Sequence, residues 1–149
     1  MPASKDIKDM GRKTTRGKKR KLKKRILIVE DDVIIANLER EILEGEGFKI
    51  EVARDGMEGL EKIKQNGYDV IISDCDMPRM RGSELYIEVQ KLSPDLAKKI
   101  IFVSGTISDF IRSTGNRFLK KPFSPQRLIE AVNDSLHLIG NPSQTVKPV

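Results

Sequence analysis

The chain has one cysteine, Cys75, and one histidine, His137. A single thiol excludes an internal disulfide framework and fits a reducing compartment. Cys75 reads as a small packing residue. His137 falls on an amphipathic stretch with no kinase motif around it, so it reads as a surface or partly buried residue rather than a phosphocarrier. No apolar run approaches the roughly 20 residues of a membrane span. The basic start leads into no signal-peptide core, because Ile26–Val29 runs straight into acids. A cytoplasmic location is therefore expected. Internal repeats are absent, and the first 24 residues hold no aromatic side chain.

Charge is abundant but uneven. Residues 1–25 carry twelve Lys/Arg against Asp6 and Asp9, a net of +10, while residues 26–149 carry a net of −4, giving +6 for the whole chain. The basic balance belongs to a tail. Residues 1–24 lack apolar periodicity and are expected to be disordered. Without aromatics, any contact of this tail with nucleic acid would be weak, nonspecific and made to phosphates; an anionic surface is the other acceptor of such charge. A solvated linker is the plainer reading. The expected organisation is a basic tail over 1–24, one domain over 25–140 and a loose tail over 141–149.

The domain is organised around Val70–Pro78, VIISDCDMP. A non-alternating apolar run of this kind reads as a strand buried on both faces, as in a parallel sheet. It stops at Asp74; Asp76 follows, and Met77-Pro78 ends the strand. Ligands of open α/β sheets sit at such strand ends. Two readings of Asp74 stand on this stretch alone: a reactive carboxylate, or a cap of the next turn.

Strands and helices alternate along the rest. Strands are expected at Ile26–Val29, Phe48–Ala53, Val70–Ser73, Ile100–Val103 and Arg117–Leu119. A helix after Asp32 carries Val33, Ile34, Ala36, Leu38, Ile42 and Leu43, with Gly45 or Gly47 as its stop. Asp55-x-x-Glu58 is a capping pattern, Ser83 is the expected cap of the third helix, and Ser124-Pro125 that of the last, which runs to Gly140. Between Ile107 and Asn116 the residues are poor helix formers, so the fourth helix is expected to be short. Alternation with right-handed crossovers predicts a doubly wound, flavodoxin-like α/β/α fold, with a five-stranded parallel sheet in the order 2-1-3-4-5.

In that order Glu30, Asp31, Asp74, Ser104 and Lys121 converge on one sheet edge. Carboxylates this close raise one another's pKa, which a hard divalent cation relieves. Oxygen ligands beside a phosphate site favour Mg2+. A lysine and a hydroxyl can hold the oxygens of a transferring phosphoryl group, and an aspartate can accept it as an acyl phosphate.

The set ILIVEDD, DVIISDCDMPRMRG, IIFVSG and FLKKPF resembles the receiver domain of two-component response regulators over about Arg25–Gly140. The resemblance implies that Asp74 accepts a phosphoryl group from a histidine kinase or a histidine phosphotransfer protein. It implies Mg2+ on Glu30, Asp31, Asp74 and the backbone carbonyl of Asp76, with Asp31 a more direct ligand than Glu30. It implies that Ser104 and Lys121 contact the phosphoryl oxygens, that Phe118 is the aromatic switch residue, and that Lys121–Pro122 is cis. The implied role is a signalling switch with slow hydrolysis, not an enzyme of rapid turnover. Gly105 stands where alanine is common. The Ser104–Lys121 segment is short by more than a helical turn, in a wording closer to receivers of hybrid histidine kinases than to free-standing transcription factors. Only 141–149 follows Gly140, so output is expected through a partner protein, a longer chain of which this is a piece, or the tail. Two alternatives remain at this point: a haloacid dehalogenase-like phosphatase, which shares the Asp74-x-Asp76 spacing, and a binding module with a vestigial site.

Overall fold

The computed structural model describes residues 22–77 and 79–137. Five strands form one parallel sheet: β1 (Arg25–Val29), β2 (Lys49–Ala53), β3 (Val70–Asp74), β4 (Ile100–Ser104) and β5 (Phe118–Lys120). Their order is 2-1-3-4-5, as expected. The crossovers are α1 (Val33–Glu44), α2 (Gly56–Gln65), α3 (Gly82–Leu92), a helical turn at Pro94–Ala97, and α4 (Asp109–Thr114). The closing helix is α5 (Pro125–Leu136).

The sheet separates two cores. On one face Ile26, Ile28, Val70, Ile72, Ile101 and Val103 meet α1 and α5 through Leu43, Leu128 and Val132. On the other, Leu27, Val29, Ile71, Ile100 and Phe102 meet α2, α3 and α4 through Ile63, Leu85, Val89 and Ile111. β3 and β4 are buried along their whole length, which explains their unbroken apolar runs. Each fully buried Ile or Leu contributes roughly 1.5–3 kcal/mol of transfer free energy.

Asp32, Asp55, Ser108 and Ser124 cap their helices through side-chain oxygens. Ser83 does not. α3 starts one residue before it, at Gly82, and the free backbone N–H of Arg81 is met by Glu84 Oε1 at 2.9 Å. Glu58 likewise accepts from Arg54 N, 2.7 Å away, rather than closing a box on Asp55. α4 has six residues and ends on Gly115, whose φ of +75° suits glycine.

The buried face of α1 is not its apolar stripe. Val33, Ile34 and Leu38 are 62%, 79% and 56% exposed, while Ala36, Glu39 and Leu43 face inward. His137 is exposed and caps α5. The expected end of that helix at Gly140, and both tails except 22–24, lie outside the described residues.

Candidate functional site

β3 lies between β1 and β4, with Ser73 opposite Val29 and Asp74 opposite Val103. This register puts Glu30, one residue past β1, beside Asp74, one residue further along the neighbouring strand. Glu30 is fixed at both ends: its N–H donates to Ala53 O at 3.0 Å, and its carboxylate accepts from Asp32 N at 3.1 Å. Glu30 and Asp74 are buried, whereas Asp31 is exposed. One carboxylate oxygen from each of Glu30, Asp31 and Asp74 lies within 4.8 Å of the other two.

Lys121 completes the cluster from across the sheet, with Nζ 3.3 Å from Asp74 Oδ1. Its N–H donates to Ser104 O at 2.9 Å, and its bond to Pro122 is cis. Ser104 reaches the same edge, but its hydroxyl donates to Thr106 O at 2.7 Å and accepts from Thr106 N. No hydrogen bond joins Ser104 to Asp74 among the described residues. Phe118 is half-buried at the start of β5, with the Arg112 guanidinium 5.8 Å from its ring centre. Asp76 is exposed, and its backbone N–H works to lower the Asp74 carboxyl. Six of these seven residues thus stand at the carboxyl end of the sheet or in the segments leaving it, while Phe118 opens β5 opposite Phe102, two residues before Ser104.

The charges are poorly matched. Burial, with Asp74 beside it and the Asp32 N–H opposing, pushes the Glu30 carboxyl up to about 7. Burial also raises Asp74, against the pull of Lys121. For Lys121, burial works downward but Asp74 and Glu30 outweigh it, and the ammonium is held above its usual value. Burial pushes the Cys75 thiol up to about 12, which keeps it protonated and fits the packing role. A fourth carboxyl, Glu39, faces this edge from α1; burial and then the charge of Glu30 push it up to about 8. An all-oxygen cluster short of positive charge suits a hard divalent cation, and Mg2+ fits a site that keeps room for phosphate.

The family of response regulator receiver domains matches residues 26–133. The chain belongs to this family. It is 32% identical over 116 residues to the chemotaxis protein CheY of Thermotoga maritima, covering 74% of this chain and 95% of that protein. It is 33% identical over 114 residues to the transcriptional regulatory protein GlrR of Escherichia coli K12; there it matches 74% of this chain but spans only 26% of the relative. Among solved structures, a CheY-like receiver from Methanospirillum hungatei superimposes with a TM-score of 0.72 at 36% identity, covering 77% of this chain and 94% of that one. The response regulator TrrA of Thermotoga maritima, solved in complex with Mg2+-BeF, gives 0.70 at 34% identity, covering 76% and 99%. The chain is thus a receiver of the two-component type, and the phosphatase alternative falls.

Two features of this edge escape a reading of the sequence. Glu39 sits among apolar α1 residues, and only the side of the helix that turns inward reveals it. Asp55 signals itself as a cap, yet it also holds Arg79 from the segment after β3, with Nε 2.7 Å from Oδ2. No local pattern announces that pair, which joins positions 24 apart.

Proposed function

We propose that this receiver takes a phosphoryl group onto Asp74 from a partner phosphohistidine, with Mg2+ required, and that the phosphorylated form signals to another protein. The observation that carries the reading is the Lys121 ammonium 3.3 Å from Asp74 Oδ1 at the edge of the Glu30, Asp31 and Asp74 cluster. Asp74 is the nucleophile. One of its carboxylate oxygens bonds phosphorus as the donor's P–N bond breaks, and the imidazole leaves with that electron pair. Glu30, Asp31, Asp74 and the Asp76 carbonyl would hold Mg2+, whose positive charge offsets that of the carboxylates and the incoming phosphoryl oxygens. Lys121 neutralises a phosphoryl oxygen from the β5 side. Ser104 leaves Thr106 to donate to another, and Phe118 turns inward behind it. Water then hydrolyses the acyl phosphate slowly, so the protein works as a switch rather than a turnover enzyme.

The donor is a histidine kinase or a histidine phosphotransfer protein. The setting is cytoplasmic; among the described residues no helix is long and apolar enough to cross a membrane. The receiver unit spans 25–140 between a basic tail and a short C-terminal one. The basic tail adds weak contact with nucleic acid or an anionic surface, which falls by orders of magnitude between roughly 50 and 200 mM salt.

Intact-protein mass spectrometry after incubation with acetyl phosphate tests the chemistry. Wild type gains one phosphoryl group, and EDTA prevents it. Asp74→Asn, which keeps size but loses the nucleophilic carboxylate, gains none; Asp31→Asn labels slowly and Lys121→Ala poorly. Undiminished labelling of Asp74→Asn, or labelling indifferent to EDTA, defeats the reading.

A further inference from the structure

The connection from Asp74 to α3 is tied at two levels. At its base Gly82 N donates to Cys75 O at 3.2 Å, and a Cβ on Gly82 would lie 3.0 Å from Asp74 O. Further out, Arg79 and Met80 are fastened to the start of α2. Asp55 divides its carboxylate between two tasks: Oδ1 accepts from Glu58 N at 2.8 Å and caps α2, while Oδ2 accepts from Arg79 Nε at 2.7 Å. Asp55 is buried, although Arg79 reaches it from a largely exposed position. Met80 seats itself on Gly56 so closely that a Cβ there would lie 2.4 Å from Met80 O, so only glycine admits this approach. Between the two ties, next after Cys75 in the chain, stands Asp76.

We infer that Asp55 and Arg79 form a positioning pair, which holds Asp76 where its carbonyl completes the Mg2+ site and thereby sets the metal affinity of this receiver. The inference rests on the proposed function, since that reading makes Asp76 a ligand. Neither member of the pair touches the metal or the phosphoryl group. Both act through the backbone that carries Asp76, much as outer residues orient inner ligands elsewhere. The Arg79 guanidinium holds the Asp55 carboxyl below its usual range, so the pair persists through neutral pH. Gly56 and Met80 supply the steric half of the same tie.

The test is a double-mutant cycle read as Mg2+ affinity by isothermal titration calorimetry on the full chain. Asp55→Asn is chosen because asparagine also caps a helix, so α2 is kept and only the charge is lost. Arg79→Met keeps length and removes the guanidinium. Each single change raises the Kd for Mg2+ roughly two- to fivefold, the range expected of one partly exposed ion pair. The double variant is no worse than either single, because the two residues act as one unit. Arg79→Lys recovers part of the loss. Gly56→Ala, which displaces Met80 without altering charge, weakens Mg2+ by a similar factor. Labelling by acetyl phosphate slows in all five variants at low Mg2+ and returns to the wild-type rate at saturation. Unchanged Mg2+ affinity in the single variants, or strictly additive losses in the double, overturns the pair. Asp74→Asn is the control for the underlying reading, since it removes a ligand and lowers Mg2+ affinity whatever Arg79 does; a wild type without Mg2+ affinity overturns both.

Discussion

Where the sheet begins, Glu51 accepts from Arg25 Nη2 at 2.7 Å and from the Tyr68 hydroxyl, Asp69 accepts from Arg25 N at 2.8 Å, and the Arg25 guanidinium lies 5.1 Å from the centre of the Tyr68 ring. Where the sheet ends, Glu30, Glu39 and Asp74 face one another around the single ammonium of Lys121. The titration shifts take opposite signs. The Tyr68 hydroxyl, followed by Arg25, lowers Glu51 in spite of partial burial. Burial raises all three carboxyls at the other end. One end stitches β1, β2 and the approach to β3 with paired charges. The other keeps a charge deficit that a cation and a phosphoryl group are suited to resolve. Stability is thus built at one edge and partly given up at the other, where the chemistry sits.

Glu39 gives the largest effect. Its folded pKa of about 8 stands above the ordinary glutamate value of 4.5, and that of Glu30, about 7, does too. The folded state then holds protons that the unfolded state has released. Stability from these groups is fully present below about 4.5 and is lost as pH rises to about 8. Glu51 has the opposite sign: its contribution is present above its unfolded pKa and lost as pH falls through the lowered folded value. The metal-free protein is therefore most stable near pH 5, on the order of the unfolded carboxyl values. Glu39→Gln removes the upper part of the alkaline loss, making the protein more stable than wild type at pH 9 by a few kcal/mol, at ~1.4 kcal/mol per pKa unit. Urea unfolding between pH 5 and pH 9 with EDTA measures this. Parallel pH curves for wild type and variant would show that Glu39 is not the buried acid described.

At the other edge, Tyr68→Phe deletes one hydrogen bond to a carboxylate and leaves the ring in place. It lowers stability by about 1.5–3 kcal/mol at neutral pH, the range for a bond to a charged group. Mg2+ affinity and labelling of Asp74 stay as in wild type, because the change lies at the far end of the strands. A stability loss accompanied by weaker Mg2+ binding would break the division between the two edges.

Much of this was legible in the sequence because each strand ends on a change of chemistry. VIISD and IIFVS pass from apolar to polar within one residue, and alternation with helices then brings those ends together. The order of the sheet and the convergence of Glu30, Asp31, Asp74 and Lys121 follow from local patterns and topology. The buried side of α1 did not. Ile34 and Leu38 advertise an apolar face that lies exposed, because helical spacing identifies the helix but not the side that turns inward. Asp55–Arg79 was illegible for another reason: a contact between two connections depends on their placement in three dimensions, and each residue looks ordinary in its own stretch. Ser104 is an intermediate case. Its position was readable, but the turn its hydroxyl makes with Thr106 depends on the conformation of the loop.

The smallest effect tests the start of α3, which belongs to the functional edge and is less well finished than the other helix starts. Arg81 occupies the cap position, where a cation opposes the helix dipole and no side-chain oxygen serves the first turn. Ser83 looks like the cap in the sequence, yet it lies one residue inside the helix. Ser83→Ala therefore costs no stability and gains a few tenths of a kcal/mol from the better helix former. A true cap would lose about 1 kcal/mol on the same substitution. Glu84→Ala removes the acceptor for Arg81 N and costs about 0.5–1 kcal/mol. Arg81→Asp supplies both the missing oxygen and the favourable charge, and raises stability by about 1 kcal/mol. Thermal unfolding of the three variants at one pH ranks them. If Ser83→Ala is the most damaging, α3 begins later than described, and the close seat of Gly82 against Asp74 must be redrawn with it. If Arg81→Asp is the most stable, the functional edge has left that stability unused.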